Sequence, residues 1–200
     1  GGLRPGPNAE VMTPQRRATL AQHWQHVEAA SGQPFDHAGL ERPAGWRYDT
    51  ELAAMAVVVM RAMAPKLAIP FYHRLQRAFY ADRIDVTEHQ VYRAIVTDFL
   101  ADDVPDDTPR RPAVEAFLEQ LRDPEMKRLT WADFAFARKL GVNGFPSLLL
   151  REGERYVVVS PGWSTAEKLI PALEGWLREH HAPTLDGLLC GVDGCALPGD

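Results

Sequence analysis

The hydrophobic period of this 200-residue chain changes at Gly141, and that change restricts the folds open to it. Upstream, apolar residues recur every three or four positions, as they do in helices with one buried face. Downstream, in GVNGFPSLLLREGERYVVVS, the aliphatic runs SLLL and YVVVS flank the polar REGER, the pattern of a β-hairpin. Pro146 precedes the first run, where a residue without a backbone N–H can open a strand but not serve inside one. The order is therefore many helices, then strand, strand and a closing helix. A lone two-stranded hairpin is marginal in water, so this one calls for a further strand. The remaining candidate is GGL at residues 1–3, which runs into the breaker RPGP and reads as the end of a strand whose beginning is missing.

The helical block is punctuated by caps and prolines. Thr13-Pro14 reads as an N-cap followed by proline at the first helical position, Leu20, Trp24 and Val27 share one face, and Ser31-Gly32 is a stop. A second helix is predicted over 49–64, ending before Pro65, and a third after Pro70. Thr87 and Gln90 have capping-box spacing ahead of the Val91, Ile95, Phe99 stripe. Pro105, Pro109 and Pro112 break the acidic loop ADDVPDDTPRRP, and a short helix is predicted over 113–121. Asp123-Pro124 repeats the cap signal, with Leu129, Ala132, Phe136 and Leu140 as the expected buried stripe and Gly141 as the stop. Ser164 and Glu167 predict a last helix, reaching to about His180.

Composition excludes several functions. With 22 basic against 27 acidic side chains and a net charge of −5, the chain has no sustained basic face for phosphates, so nucleic acid is not an expected partner. The longest apolar run, from Leu52 to Met60, is too short to cross a bilayer and is closed by Arg61, so no membrane partner is expected either. No signal-peptide pattern opens the sequence. Two cysteines cannot make a disulfide-dense secreted scaffold or a four-thiolate zinc site, and the expected location is cytoplasmic. A Ser/His/Asp order, a phosphate loop and GxGxxG are all missing, which leaves hydrolase and nucleotide-binding readings without support.

The two cysteines form the motif CGVDGC. Cys190 and Cys195 enclose four residues, two of them glycines, which can turn tightly enough to bring the α-carbons within the roughly 4.4–6.8 Å a disulfide requires. A pair closed over so short a loop reads as reducible and accessible, hence as a candidate catalytic redox pair. The alternatives are a tail staple, two unpaired thiols, or zinc held with His180 and His181, whose spacing matches no usual finger. Other features read as structural. His23 and His26 lie at i, i+3 rather than at the i, i+4 of a helical zinc pair. Asp102, Asp103, Asp106 and Asp107 lack calcium-loop spacing. Met55, Met60 and Met63 read as core, and Trp163 in PGW as a wedge between helix and sheet.

The helical block followed by GVNGFPSLLL, a hairpin and a helix after PGW resembles the DsbA-like branch of the thioredoxin fold, in particular its FrnE-type dithiol-disulfide oxidoreductases. GGLRPG, HWQHVEAASGQPFD, YDTELAAMAVVVMRA and LQRAFYADRIDV agree with that family, over roughly residues 1–180. The resemblance implies an α/β fold: a thioredoxin-like, DsbA-type sheet from residues 1–12 and 123–181, a helical insertion over 13–122, and a tail over 182–200. It also implies that Pro146 is the cis-proline facing the active site. Phe145 before it would then offer its backbone to an extended substrate strand, and Phe145 and Pro146 are the candidate substrate-binding residues. The bare motif leaves open an ordinary trans proline. The family's first strand and C-x-x-C helix have no counterpart here; either they lie upstream of residue 1 or this protein lacks them.

Three functions follow from that resemblance. One is a thiol-disulfide oxidoreductase or isomerase with its main C-x-x-C upstream, Cys190 and Cys195 as an accessory pair, and disulfide- or thiol-containing proteins as substrates. It needs no bound cofactor and no metal, with glutathione as a candidate redox partner. The second is a glutathione-using enzyme like the kappa-class transferases and 2-hydroxychromene-2-carboxylate isomerases, which place a serine where the dithiol stands. The third is a peptide-binding module without catalysis. Because helix N-termini lower thiol pKa, the residue at the start of the first thioredoxin helix separates the three.

Overall fold

The computed structural model describes residues 4–104 and 112–180. They fall into two compact units, 1–135 and 136–200, each taken by itself below.

The first unit is helical. Helix α1 (Pro14–Ser31) starts as its sequence dictates, with the Thr13 hydroxyl accepting the Arg16 N–H, and it stops at Gly32 in the left-handed region. Helix α2 (Glu51–Met63) buries Leu52, Met55, Ala56, Val58, Val59 and Met60, so the methionines are largely core. Helix α3 (Ala68–Tyr80) begins before Pro70 rather than after it, because proline is tolerated in a first turn whose N–H groups lack partners anyway. Helices α4 (Tyr92–Asp102), α5 (Val114–Gln120) and α6 (Pro124–Lys139) follow. The boundary between the units falls inside α6, after Ala135.

Aromatic rings fill the core of this unit. Trp24 meets Phe35, Phe79 and Tyr80, while Phe71 packs edge-on against Phe99 and Phe117, which joins α3 to α4 and α5. Each fully buried ring stabilises the fold by roughly 1.5–3 kcal/mol relative to exposure. A two-residue ladder, β1 (Glu10–Val11) against β2 (Arg47–Tyr48), fastens the N-terminal segment to the loop before α2.

Two local readings of the sequence are corrected in this unit. Thr87 does not cap α4: its N–H and hydroxyl both donate to Asp85, and a 3-10 turn over His89–Val91 leads into the helix instead. Competition from a nearby carboxylate has won over the capping box. On α6 the fully buried residues are Met126 and Thr130, whose hydroxyl returns to the Met126 carbonyl at 2.8 Å, whereas Ala132 and Phe136 are exposed.

The second unit is a hairpin with a helix. Strand β3 (Leu148–Glu152) pairs antiparallel with β4 (Arg155–Ser160), with a register shift between Leu148 and Leu149. Gly153, at φ +57°, is the first residue of a two-residue connection, the place where a type II′ turn needs a positive φ. Helix α7 (Ala166–Glu179) starts one residue later than the capping box implied, with Thr165 at the N-cap, and continues through Pro171. Among the described residues the hairpin has two strands only; the GGL segment expected beside it lies outside them. No hydrophobic side chain of 136–180 is buried.

Candidate functional site

Helix α6 ends in a Schellman motif: the Val142 N–H reaches the Ala137 carbonyl, the Gly141 N–H reaches that of Arg138, and Gly141 takes φ +76°. This close delivers the chain to Gly144, whose carbonyl accepts the Ser147 hydroxyl at 2.7 Å. Within that turn the Phe145–Pro146 peptide bond is cis. Pro146 lies two residues before β3, so its missing N–H costs the ladder nothing.

The other strand arrives at the same end. Leu148 pairs with Ser160, so Pro161, Gly162 and Trp163 stand beside the 144–146 turn, and a side chain built at Gly144 would meet the Pro161 carbonyl at 3.6 Å. Trp163 is 59% exposed and Phe145 47% exposed. The wedge expected of Trp163 is thus overturned; the indole faces solvent at the open end of the hairpin. Val157 and Val158, consecutive on β4 and therefore on opposite faces, are also exposed. The aliphatic run of β4 is thus open on both faces.

At the turn end, about 17 Å away at 3.3–3.4 Å per residue, His180 stacks on Trp176 with centroids 4.4 Å apart. Its Nδ1 lies 2.8 Å from the Trp176 carbonyl and its Nε2 lies 3.4 Å from Glu152 Oε2. His180 thereby ties the end of α7 to the end of β3. Nothing in the sequence pattern flagged that tie, since a histidine and a glutamate 28 positions apart carry no spacing signal.

The candidate site residues thus divide. Phe145 and Pro146 share the open end of the hairpin, whereas Cys190 and Cys195, like His181, lie outside the described residues. His23 and His26 are exposed on α1, and among the described residues no group of histidine, cysteine, aspartate or glutamate is arranged to hold a metal. No helix among them is long and apolar enough to cross a membrane. The open end offers backbone groups and two rings to a ligand. The hydroxyls of Ser147 and Ser160 there are held by the Gly144 and Gly162 carbonyls. By itself it can bind an extended chain but supplies no nucleophile.

An α/β chain with a largely helical body and a proline-headed hairpin closed by a helix defines a thioredoxin-like fold of the DsbA type. The chain belongs to the DsbA-like family of thioredoxin-fold disulfide oxidoreductases. It is 30% identical to a protein from Nitrosomonas europaea provisionally assigned as a protein disulfide isomerase, matching 86% of this chain and 78% of that one at a TM-score of 0.74. The cytosolic disulfide reductase DsbM of Pseudomonas aeruginosa shares the fold at a TM-score of 0.59 and 22% identity, over 86% of this chain and 80% of that one. Its structure with GSH matches at the same TM-score, over 90% of this chain and 81% of that one. No family model matches the sequence, and no curated protein does.

Proposed function

We propose that the chain is part of a FrnE-type cytoplasmic thiol-disulfide oxidoreductase or isomerase acting on protein disulfides, with its principal C-x-x-C in a segment N-terminal to Gly1. The observation that carries this reading is the bare apolar surface of the hairpin: Phe145, Val157, Val158 and Trp163 are all exposed, with no buried hydrophobic residue in 136–180 beneath them. A strand and helix laid on that surface would cover it and bring the N-terminus of a helix, where thiolates are stabilised, beside Pro146. The thioredoxin-like part would comprise 1–12 and 123–181, the helical insertion 13–122, and the tail 182–200.

Phe145 and Pro146 hold the substrate strand through the backbone, with Trp163 packing against its side chains. Cys190 and Cys195 serve as the accessory pair. As a dithiol they attack the oxidised principal pair, form one disulfide between themselves, and leave the principal pair as two thiols, a transfer of two electrons; an external dithiol, or two molecules of glutathione that leave as their own disulfide, reduces them again. Ten residue steps from His180 to Cys190 span at most about 33–36 Å. That exceeds the length of the hairpin, so the covalent reach suffices. No bound cofactor takes part.

The structure of DsbM with GSH supports glutathione as the thiol partner; the second reading is a glutathione-using enzyme of the kappa-transferase or 2-hydroxychromene-2-carboxylate isomerase kind, in which a serine would stand in place of the upstream dithiol. Sequencing the gene upstream of Gly1 distinguishes them: a cysteine pair at the start of the first thioredoxin helix supports the first reading and a serine the second. Binding of a reduced, unfolded polypeptide tests the open end itself. Phe145→Ser with Trp163→Ser weakens it if the site lies there, and unchanged binding refutes that placement.

A further inference from the structure

We propose that the side-on fork of Arg42, with Arg17 holding the Arg42 backbone, is a binding site for a small oxyanion, a carboxylate or a phosphate, in the helical unit. The site involves no residue of the hairpin and does not depend on the function proposed above. Arg17 stands in the first turn of α1 and Arg42 in the loop before β2; both are half-buried. Arg17 Nη2 donates to the Arg42 carbonyl at 3.5 Å, and Arg42 Nη1 donates to the Arg83 carbonyl at 3.2 Å. These bonds set the Arg17 guanidinium against the backbone of Arg42 and the Arg42 guanidinium against the backbone of Arg83.

The side-on edge of Arg42 is left empty, and on Arg17 one donor of that edge is left over. Arg42 Nε and Nη2 and Arg17 Nε are buried without any hydrogen-bond partner. Nε and Nη2 form the side-on fork of a guanidinium, whose two parallel N–H groups match the two oxygens of one carboxylate or phosphate. Buried polar groups are nearly always satisfied, so the empty fork of Arg42 calls for an acceptor.

No protein acceptor is at hand. Among the described residues, no carboxylate makes an ion pair with either arginine: Asp36 is engaged with Arg83 at 3.2 Å, Asp85 with the Trp46 indole N–H at 2.6 Å and with Thr87, and Glu41, next to Arg42 in the chain, is exposed and makes no ion pair with it. Trp46 and Phe79 flank Arg42, their centroids 5.5 and 5.7 Å from Cζ. They hold the guanidinium in place by cation–π attraction and keep water from it, which strengthens a charged hydrogen bond made there.

Thermal unfolding of the 200-residue chain at constant ionic strength tests this, with sodium phosphate, sodium acetate or sodium chloride as the varied salt. A saturable rise in Tm with phosphate or acetate, absent with chloride, is expected, and whichever of the two acts at lower concentration identifies the ligand chemistry. Arg42→Lys keeps the charge but loses the fork, and should weaken apparent affinity about tenfold or more. Arg17→Gln should weaken it too, while Arg61→Gln, whose ion pair with Asp133 lies elsewhere, should not. Titration calorimetry of the unsubstituted chain with phosphate and with acetate decides the matter should the variants fail to fold. A chloride response equal to the others, or affinity unchanged in both Arg42→Lys and Arg17→Gln, overturns the proposal.

Discussion

Trp131 donates its indole N–H to the Glu51 carboxylate at 3.0 Å, a bond that joins α6 to the start of α2 across 80 residues of chain. Lys127, one turn earlier on α6, brings its ammonium to 2.6 Å from the other carboxylate oxygen. Glu51 is 12% exposed and Lys127 is 56% exposed, so the two partners of the ion pair are not equivalent. Glu51→Ala leaves a half-buried indole N–H unsatisfied and should cost about 1–3 kcal/mol. Lys127→Ala removes an exposed cation and should cost less than about 1 kcal/mol. Urea unfolding of the two variants measures both, and equal losses would show that the asymmetry in burial does not govern this contact.

Gly6 depends on that same carboxylate. A side chain at Gly6 would collide with Glu51 Oε2, which Lys127 and Trp131 hold in place, and its φ of +52° suits glycine alone. Gly6→Ala should therefore destabilise the helical unit by about 1–3 kcal/mol. Adding Glu51→Ala should relieve the collision but not the backbone strain. The double variant should then lose less than the sum of the two single losses, and strict additivity in a double-mutant cycle would rule the collision out.

The helical core sets an alkaline limit. Burial, the largest cause in each case, raises the phenol pKa values of Tyr48, Tyr80 and Tyr92 above the usual 10. Between the unfolded and folded values the native state binds more protons than the unfolded chain, so stability falls as pH rises. The contribution is complete below about pH 10, the unfolded value, and is lost progressively above it. Unfolding free energies measured on either side of that pH should show the decline, and Tyr80→Phe should make it shallower. Tyr92→Phe should do the same while also losing the 2.8 Å bond from its hydroxyl to the Val86 carbonyl. A slope unchanged by either substitution would contradict this assignment.

The bare hairpin gives a separate expectation. In a protein carrying the upstream strand and helix, Val158 becomes core, and Val158→Thr should cost about 1–2 kcal/mol. In the present chain, where Val158 is 48% exposed, it should cost a few tenths at most. Equal effects in the two proteins would mean that nothing upstream covers this strand.

What the sequence disclosed follows from the range of the forces involved. Thr13-Pro14 and Ser31-Gly32 bounded α1 because caps act within one turn, and the aliphatic runs around REGER marked the hairpin because a strand's period is local. Thr87 misled because its hydroxyl had a closer acceptor in Asp85, a competition that capping-box spacing does not register. Trp163, read as a wedge from its place in PGW after the second strand, is exposed instead, because position in the chain does not say what packs on a ring. The stripe on α6 failed for a related reason: Phe136 meets Tyr156 edge-on, with centroids 5.5 Å apart, outside any core. The ladder of β1 and β2, the tie from Trp131 to Glu51 and the bond from Arg42 to the Arg83 carbonyl join residues distant in sequence, and no periodicity foretells such pairs.

The most direct test of the central claim is dithiothreitol-driven reduction of a protein disulfide, measured for the 200-residue chain and for the form extended through the upstream C-x-x-C, each with and without Cys190→Ser plus Cys195→Ser. The extended form should turn over and should slow when the C-terminal pair is removed; the 200-residue chain should show little activity, all of it lost with those two cysteines. Reduction that persists in the 200-residue chain after both cysteines are gone would contradict the upstream nucleophile, and extended-form turnover unchanged by their loss would contradict the relay.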